Sequence, residues 1–450
     1  MTRVLVPAGA LGLGFDQDAL DRGVAMKPDI IAIDGGSTDS GPAYLGRGVS
    51  KYSTASTKAE WAKLIDAQQK AQCPLVIGTA GTCGANSTVD WLFEITCEIL
   101  AERNATAKIV RLYSQQPADR IITALDNGTL TPLAGAPHID ATVIGACSNI
   151  VALAGAEQIQ AALAVHPDII IAGRTTDTAI ISALPLLNGD NAGAAWHGAK
   201  IAECGALCST HPMSGVVMVD FDATGFTIEP LSAGAICTPE TVSAHMLYEN
   251  TDPFCLYEPG GYLDVTGAQY IQHTDTAVRV EGSVWTRTDP YTVKLEGARC
   301  AGFQTVSIAT LRDRRYVENS TAWCADIISR LRHDIAQRTK LNDGEYHIEL
   351  RQIGRDSTLG ALETDHTTPA EVGIMGIITT QTQAQSTEIA KMLNPYLLHH
   401  PLTPDEPMPT FAFPFSPPEM ERGPIYEFCL NHIMAIQDPM SCFEMVVTHV

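Results

Sequence analysis

Basic residues are scarce: 29 Lys and Arg stand against 51 Asp and Glu in 450 residues, a formal charge of −22. So acidic a chain does not suit nucleic acid or an anionic membrane, since both need basic patches. The substrate is not constrained by this, because a local Arg or Lys cluster still holds an anion. Long apolar runs are missing too, and no stretch approaches the roughly 18 residues of a membrane span. The opening MTRVLVPAGALGLGF lacks separate basic, apolar and cleavage regions, so it reads as a strand and a glycine turn rather than a signal peptide. Gly9, Gly12 and Gly14 are not spaced as GxGxxG, and there is no GxxxxGK(S/T) loop. Nicotinamide cofactors and nucleoside triphosphates are therefore not expected. HExxH and GxSxG are absent as well, which sets aside zinc-protease and serine-hydrolase chemistry. The twelve cysteines include no CxxC; Cys204 and Cys208 have CxxxC spacing with no second ligand pair nearby. His138 and His245 stand alone in apolar or capping settings. Reduced thiols without structural zinc, and a cytoplasmic location, are expected.

What is present suits a loop-rich α/β enzyme: 45% hydrophobic residues, 36 Gly and 26 Pro, at a length that predicts two domains. Two stretches read almost alike, PDIIAIDGGSTD (28–39) and PDIIIAGRTTD (167–177). Each is a short β-branched run closed by Gly and polar residues, the pattern of a parallel strand buried on both faces. Residues just past the carboxyl ends of such strands form the ligand crevice of an open α/β sheet. Asp34, Ser37, Thr38 and Asp39 belong to one end, and Arg174, Thr175, Thr176 and Asp177 to the other. The plainer reading is that they only form turns and cap helices.

Strands are predicted at 3–7, 29–34, 74–78 and 107–114, then at the second repeat, with helices between them and helical segments running to about 165. Ser87 is the expected N-cap of the helix STVDWLFEITCEILAE, with Asp90 completing a capping box. That alternation predicts a doubly wound, mainly parallel sheet. Beyond about residue 205 short strands replace helices, including VVMVDF, FTIEP, PYTVKLEG and TVSIAT. The domains are drawn at 1–284, an α/β domain with ligand loops at strand ends, and 285–450, an α+β domain.

Three further stretches carry chemistry. GTAGTCGANS, with Gly81 and Gly84, precedes a helix and suits a carboxylate or phosphate through its backbone N–H groups, or is simply a tight turn. In PYTVKLEGAR the alternation puts Val293 and Leu295 on one face and Lys294 and Glu296 on the other. Partly buried, Lys294 and Glu296 would form an acid/base pair; otherwise they are a solvated strand face. GRDSTLGALE follows a strand and offers Arg355.

Taken in order, DGGSTDSGPAYLG, IGTAGTCGA, IAGRTTDTA, CTPETVSAHMLYE, PYTVKLEGARCAGF, GRDSTLGALE and GPIYEF make the chain resemble the acyclic terpene utilisation AtuA-like family over nearly its whole length. The resemblance implies a link to acyclic terpene breakdown and, for some members, a small partner domain of about 100 residues, fused or separate, an ordinary size for one domain. No such extension follows CFEMVVTHV, which leaves room for a separate partner subunit; a homo-oligomer is expected. It transfers no catalytic residue. The expected function is a hydro-lyase acting on a small (di)carboxylate or its CoA ester, with Arg174 and Arg355 gripping carboxylates. Lys294 with Glu296, or Asp39 with Asp177, would move the proton. A divalent cation such as Mg²⁺ would sit on Asp34, Asp39 or Asp177. The competing expectation is a non-catalytic or half-site subunit of an acyl-CoA-processing complex.

Overall fold

Five short apolar runs form the parallel centre of a ten-stranded mixed sheet in the computed structural model, which describes residues 1–450. They are β1 (Thr2–Val6), β2 (Ile30–Asp34), β3 (Leu75–Gly78), β4 (Lys108–Tyr113) and the strand Ile169–Ala172. Ile169–Ala172 lies between β3 and β4, parallel to both. Antiparallel strands extend this centre: Val217–Phe221 pairs with β1, and Glu444–His449 pairs with β4. Alternate side chains feed two cores. Leu5, Ile31, Ile33, Ile77 and Ile171 pack with Leu20, Trp61, Leu64 and Leu92 from the helices Gln17–Ala25, Thr54–Ala71 and Asn86–Arg103. On the other face Val4, Ile30, Val76 and Ile170 pack with Ile159, Ile180 and Trp196 from the helices Ala156–Leu163, Ala179–Leu187 and Ala192–Ala202. The fold is α/β, with helices on both faces as expected.

The chain divides into two compact units, Met1–Arg299 with Phe428–Val450, and Cys300–Glu427. The division therefore differs from a single cut near 285. PYTVKLEG and TVSIAT are one strand, Tyr291–Leu311, which gives its residues up to Arg299 to the first unit and the rest to the second. The chain returns at Phe428 to supply Leu430, Met434 and Cys442 to an apolar cluster of the first unit. In the second unit Tyr346–Ile353 and Val372–Thr380 pair antiparallel, and 303–311 pairs with the latter. Trp323, Ile327 and Leu331 of the helix Ser320–Arg338 pack there with Ile389 and Leu393 of Gln383–His399.

Between 114 and 165 the expected run of helices is interrupted by the strands Leu130–Pro132 and Cys147–Ala152. Cys147–Ala152 pairs antiparallel with Leu295–Arg299, a partner far along the chain that local propensity does not reveal. The helix Asn86–Arg103 begins two residues too early for a Ser87 cap: Ala85 is its N-cap, and Asp90 accepts from Arg111 and Tyr113 instead. All twelve cysteines are free thiols, and no helix is long and apolar enough to cross a membrane.

Candidate functional site

β2 and Ile169–Ala172 run parallel on either side of β3, so the two similar stretches end on the same edge of the sheet. Gly78, at the end of β3, keeps that edge open: a Cβ there would stand 2.3 Å from Thr175 Oγ1 and 3.4 Å from Asp34 Oδ1. The edge opens into a cavity of about 500 Å³ lined by Asp34, Ser37, Asp39, Lys51, Asp177 and Cys204, with Leu13, Leu207, Met213 and Tyr248 around them. A wider groove of about 970 Å³, past Trp196 and Trp285, holds none of these carboxyls.

Asp34 is 4% exposed; its Oδ2 accepts from the Gly36 N–H at 2.8 Å, while Oδ1 is buried with no hydrogen-bond partner. Burial first, and then the charge of Asp177, hold the Asp34 carboxyl well above the usual carboxylate range. Asp177 keeps 30% of its side chain exposed, yet the surrounding walls still push its carboxyl up, against the opposing pull of Arg174 and Lys200. Asp39 is exposed and accepts from the Ser37 hydroxyl at 2.6 Å. Asp34, Asp39 and Asp177 are thus brought together on one cavity, with Ser37 orienting Asp39.

Behind this row lies an ionic clasp. Glu296, 5% exposed, accepts from Thr38 Oγ1 at 2.8 Å, Arg174 Nε at 3.0 Å and Lys294 Nζ at 2.9 Å. Burial would push its carboxyl up, but Arg174 and Lys294 outweigh that and pull it down to about 2. A carboxylate stabilised so far is a poor proton acceptor at neutral pH, so the expected acid/base role of Glu296 with Lys294 is replaced by a structural one. Lys294 lies on the same strand face as Glu296, half exposed, as alternation predicts.

Arg174 is equally engaged. Nη1 donates to Thr79 Oγ1 at 3.2 Å and to the Thr175 carbonyl at 3.0 Å, and lies 3.7 Å from Asp177 Oδ1. With four of its five N–H donors taken, and 6% exposed, the guanidinium does not offer the fork expected of a substrate clamp. Arg355 belongs to the second unit, where Nη2 donates to the Val317 carbonyl. Thr175 is buried, and Thr176 meets the Thr178 hydroxyl at 3.1 Å. The glycine loop serves packing. Gly84 adopts φ +63°, and a Cβ there would lie 2.1 Å from the Arg174 backbone nitrogen. Gly81, at φ +65°, faces Thr88, where a Cβ would lie 2.6 Å from the threonine Cβ.

Lys200, Glu203 and Glu258, whose carboxyls and amine feel the charge of Asp177, were not singled out by sequence, and His245 was read only as a lone histidine. Lys200 Nζ sits 2.5 Å from Glu203 Oε1, both buried. Burial pushes the Glu203 carboxyl up to about 8 against the pull of Lys200, and pushes that of Glu258 up to about 7. Glu258 Oε1 accepts from Thr178 at 2.5 Å, and Oε2 has no partner. Burial lowers the imidazole of His245 to about 4. They come from three separate segments, Lys200 and Glu203 sharing the end of the helix Ala192–Ala202, so spacing does not bring them together with His245 and Glu258.

The sequence model of the family described as Acyclic terpene utilisation family protein AtuA matches residues 60–408. No curated protein and no solved structure matches the chain.

Proposed function

Since the chain belongs to the acyclic terpene utilisation AtuA family, we propose that it is a metabolic enzyme, a lyase of the hydratase or dehydratase type acting on a small carboxylic acid or its CoA ester. The observation that carries this reading is the pair Asp34 and Asp177, two carboxyls on one cavity that burial raises, Asp34 further through the charge of Asp177 and Asp177 through those of Asp39 and Glu249. Like charges at close range favour one shared proton, leaving one group to donate and the other to accept. Adding or removing water next to a carbonyl needs such a pair: a base at the carbon and an acid at the leaving hydroxyl.

The floor also discriminates between substrates. Asp34, Asp39, Asp177 and Glu249 face the cavity, and Lys51 is the cationic residue lining it. A free carboxylate entering there meets repulsion, whereas the uncharged thioester carbonyl of a CoA ester does not. The unpartnered Oδ1 of Asp34, with Asp39, is the oxygen set that would hold a divalent cation such as Mg²⁺, which when bound supplies charge neutralisation. A half-site subunit is the second reading. It is favoured by the apolar mouth, where Leu13 is 64% and Met213 93% exposed, a surface that a partner would cover.

The test is turnover of unsaturated and hydroxylated acids and their CoA esters, by the chain alone and with candidate small partner subunits. Asp34→Asn and Asp177→Asn are expected to abolish turnover with no loss of melting temperature, because the surroundings of each disfavour its ionised form in the folded chain. Activity only with a partner supports the half-site. No turnover under either condition, or full turnover in both variants, refutes the hydro-lyase.

A further inference from the structure

Glu203 and Cys204 follow the helix Ala192–Ala202, and His245 opens the turn His245–Leu247 after the helix Pro239–Ala244. A Glu203 carboxylate oxygen, the Cys204 sulfur and an imidazole nitrogen of His245 all lie within 4.8 Å of one another. A second observation is independent of that proximity. His245 is 4% exposed, and its Nε2 is buried without a hydrogen-bond partner. A buried polar atom left unpaired is costly, and in native proteins such an atom usually has a ligand, a water or a function.

We propose that Glu203, Cys204 and His245 bind a divalent transition metal of the zinc and cobalt class, with a fourth position open to the cavity that Cys204 lines. One thiolate, one imidazole and one carboxylate form a donor set for zinc rather than for magnesium, which takes oxygen ligands. Tetrahedral bonds of about 2.0–2.3 Å place ligand atoms roughly 3.5 Å apart, so side-chain adjustments of about 1 Å close the site. Lys200 occupies only Oε1 of Glu203, and the second oxygen stays free for the ion. The charges balance: a divalent ion and Lys200 on one side, Glu203, the Cys204 thiolate and Asp177 on the other. On binding, Cys204 releases its thiol proton and Glu203 its carboxyl proton to solvent.

The backbone beneath the site is held tightly. A Cβ at Gly9 would meet Cys204 Cα at 3.0 Å, and one at Gly205, where φ is +60°, would meet the Gly215 carbonyl oxygen at 2.3 Å. Close backbone contact of this kind fixes where the Cys204 sulfur points. The inference goes beyond the hydro-lyase reading and does not depend on it, since metal binding is measured without turnover.

The full chain, stripped with a chelator, is titrated with Co²⁺. The expected result is saturation at one equivalent, with a thiolate-to-cobalt charge-transfer band and the intense visible bands of a tetrahedral site. Cys204→Ser should abolish the charge-transfer band, while Cys208→Ser, in a residue outside the site, should keep it. His245→Ala should weaken binding roughly tenfold or more; should that variant fail to fold, Glu203→Gln provides the same measurement. Excess Mg²⁺ should not compete, and Zn²⁺ should displace the cobalt. Asp177→Asn should still bind Co²⁺, which separates a failure of this site from a failure of the proposed reaction. Absence of a saturable signal, or a charge-transfer band that survives Cys204→Ser, overturns the proposal.

Discussion

Glu296 shows how a single side chain can join distant parts of a chain. It accepts from Thr38, Arg174 and Lys294, so the turns after both repeat strands are tied to one carboxylate. Its folded-state carboxyl lies near 2, below the ordinary value of 4.5. A lowered folded value means that its stabilisation is complete above about 4.5 and is lost as pH falls toward 2. The difference amounts to roughly 3 kcal/mol. Glu296→Gln is expected to lower the melting temperature by several degrees at neutral pH and to flatten the fall in stability between about pH 4.5 and 2. Thermal melts across that range, on both proteins, would show parallel curves if the clasp contributes nothing.

Among the elements, the strands were readable wherever the signal was local. β1 to β4 and Ile169–Ala172 are β-branched runs closed by glycine or polar residues, and each lies within a residue or two of its expected place. Cys147–Ala152 was not readable, because its identity as a strand depends on pairing with Leu295–Arg299. The site divides in the same way. Asp34, Asp39 and Asp177 were legible from the repeat, while Glu203, His245 and Glu258 come from separate segments joined only by folding. The opposite holds for Arg174 and Glu296: both were noticed, but their pairing across 122 residues, which turns a clamp into a brace, was not. The glycine loop likewise has its reason in packing. Gly84→Ala forces a Cβ into the Arg174 backbone at a left-handed φ, so a loss of about 2–4 kcal/mol is expected. Chemical denaturation of this variant giving a midpoint equal to that of the parent would contradict that account of the loop.

The whole molecule is one unit interrupted by another. Cys300–Glu427 owns a core built from its own residues, including Trp323, Ile327, Leu331, Ile389 and Leu393. A fragment of residues 300–427 is therefore expected to fold alone with a cooperative thermal transition; a featureless melt would show that its core needs the rest of the chain. The interruption also sets an order of events during synthesis. By the time Arg299 leaves the ribosome, every strand of the parallel centre has been made, but the edge strand Glu444–His449 and the apolar side chains of Leu430, Met434 and Cys442 have not. The first unit must wait, with β4 unpaired on one side and one cluster unfilled, while the whole of Cys300–Glu427 is translated. The inserted unit can thus finish before the unit that began first, and during that interval an uncovered strand edge is the part of the nascent chain most exposed to aggregation.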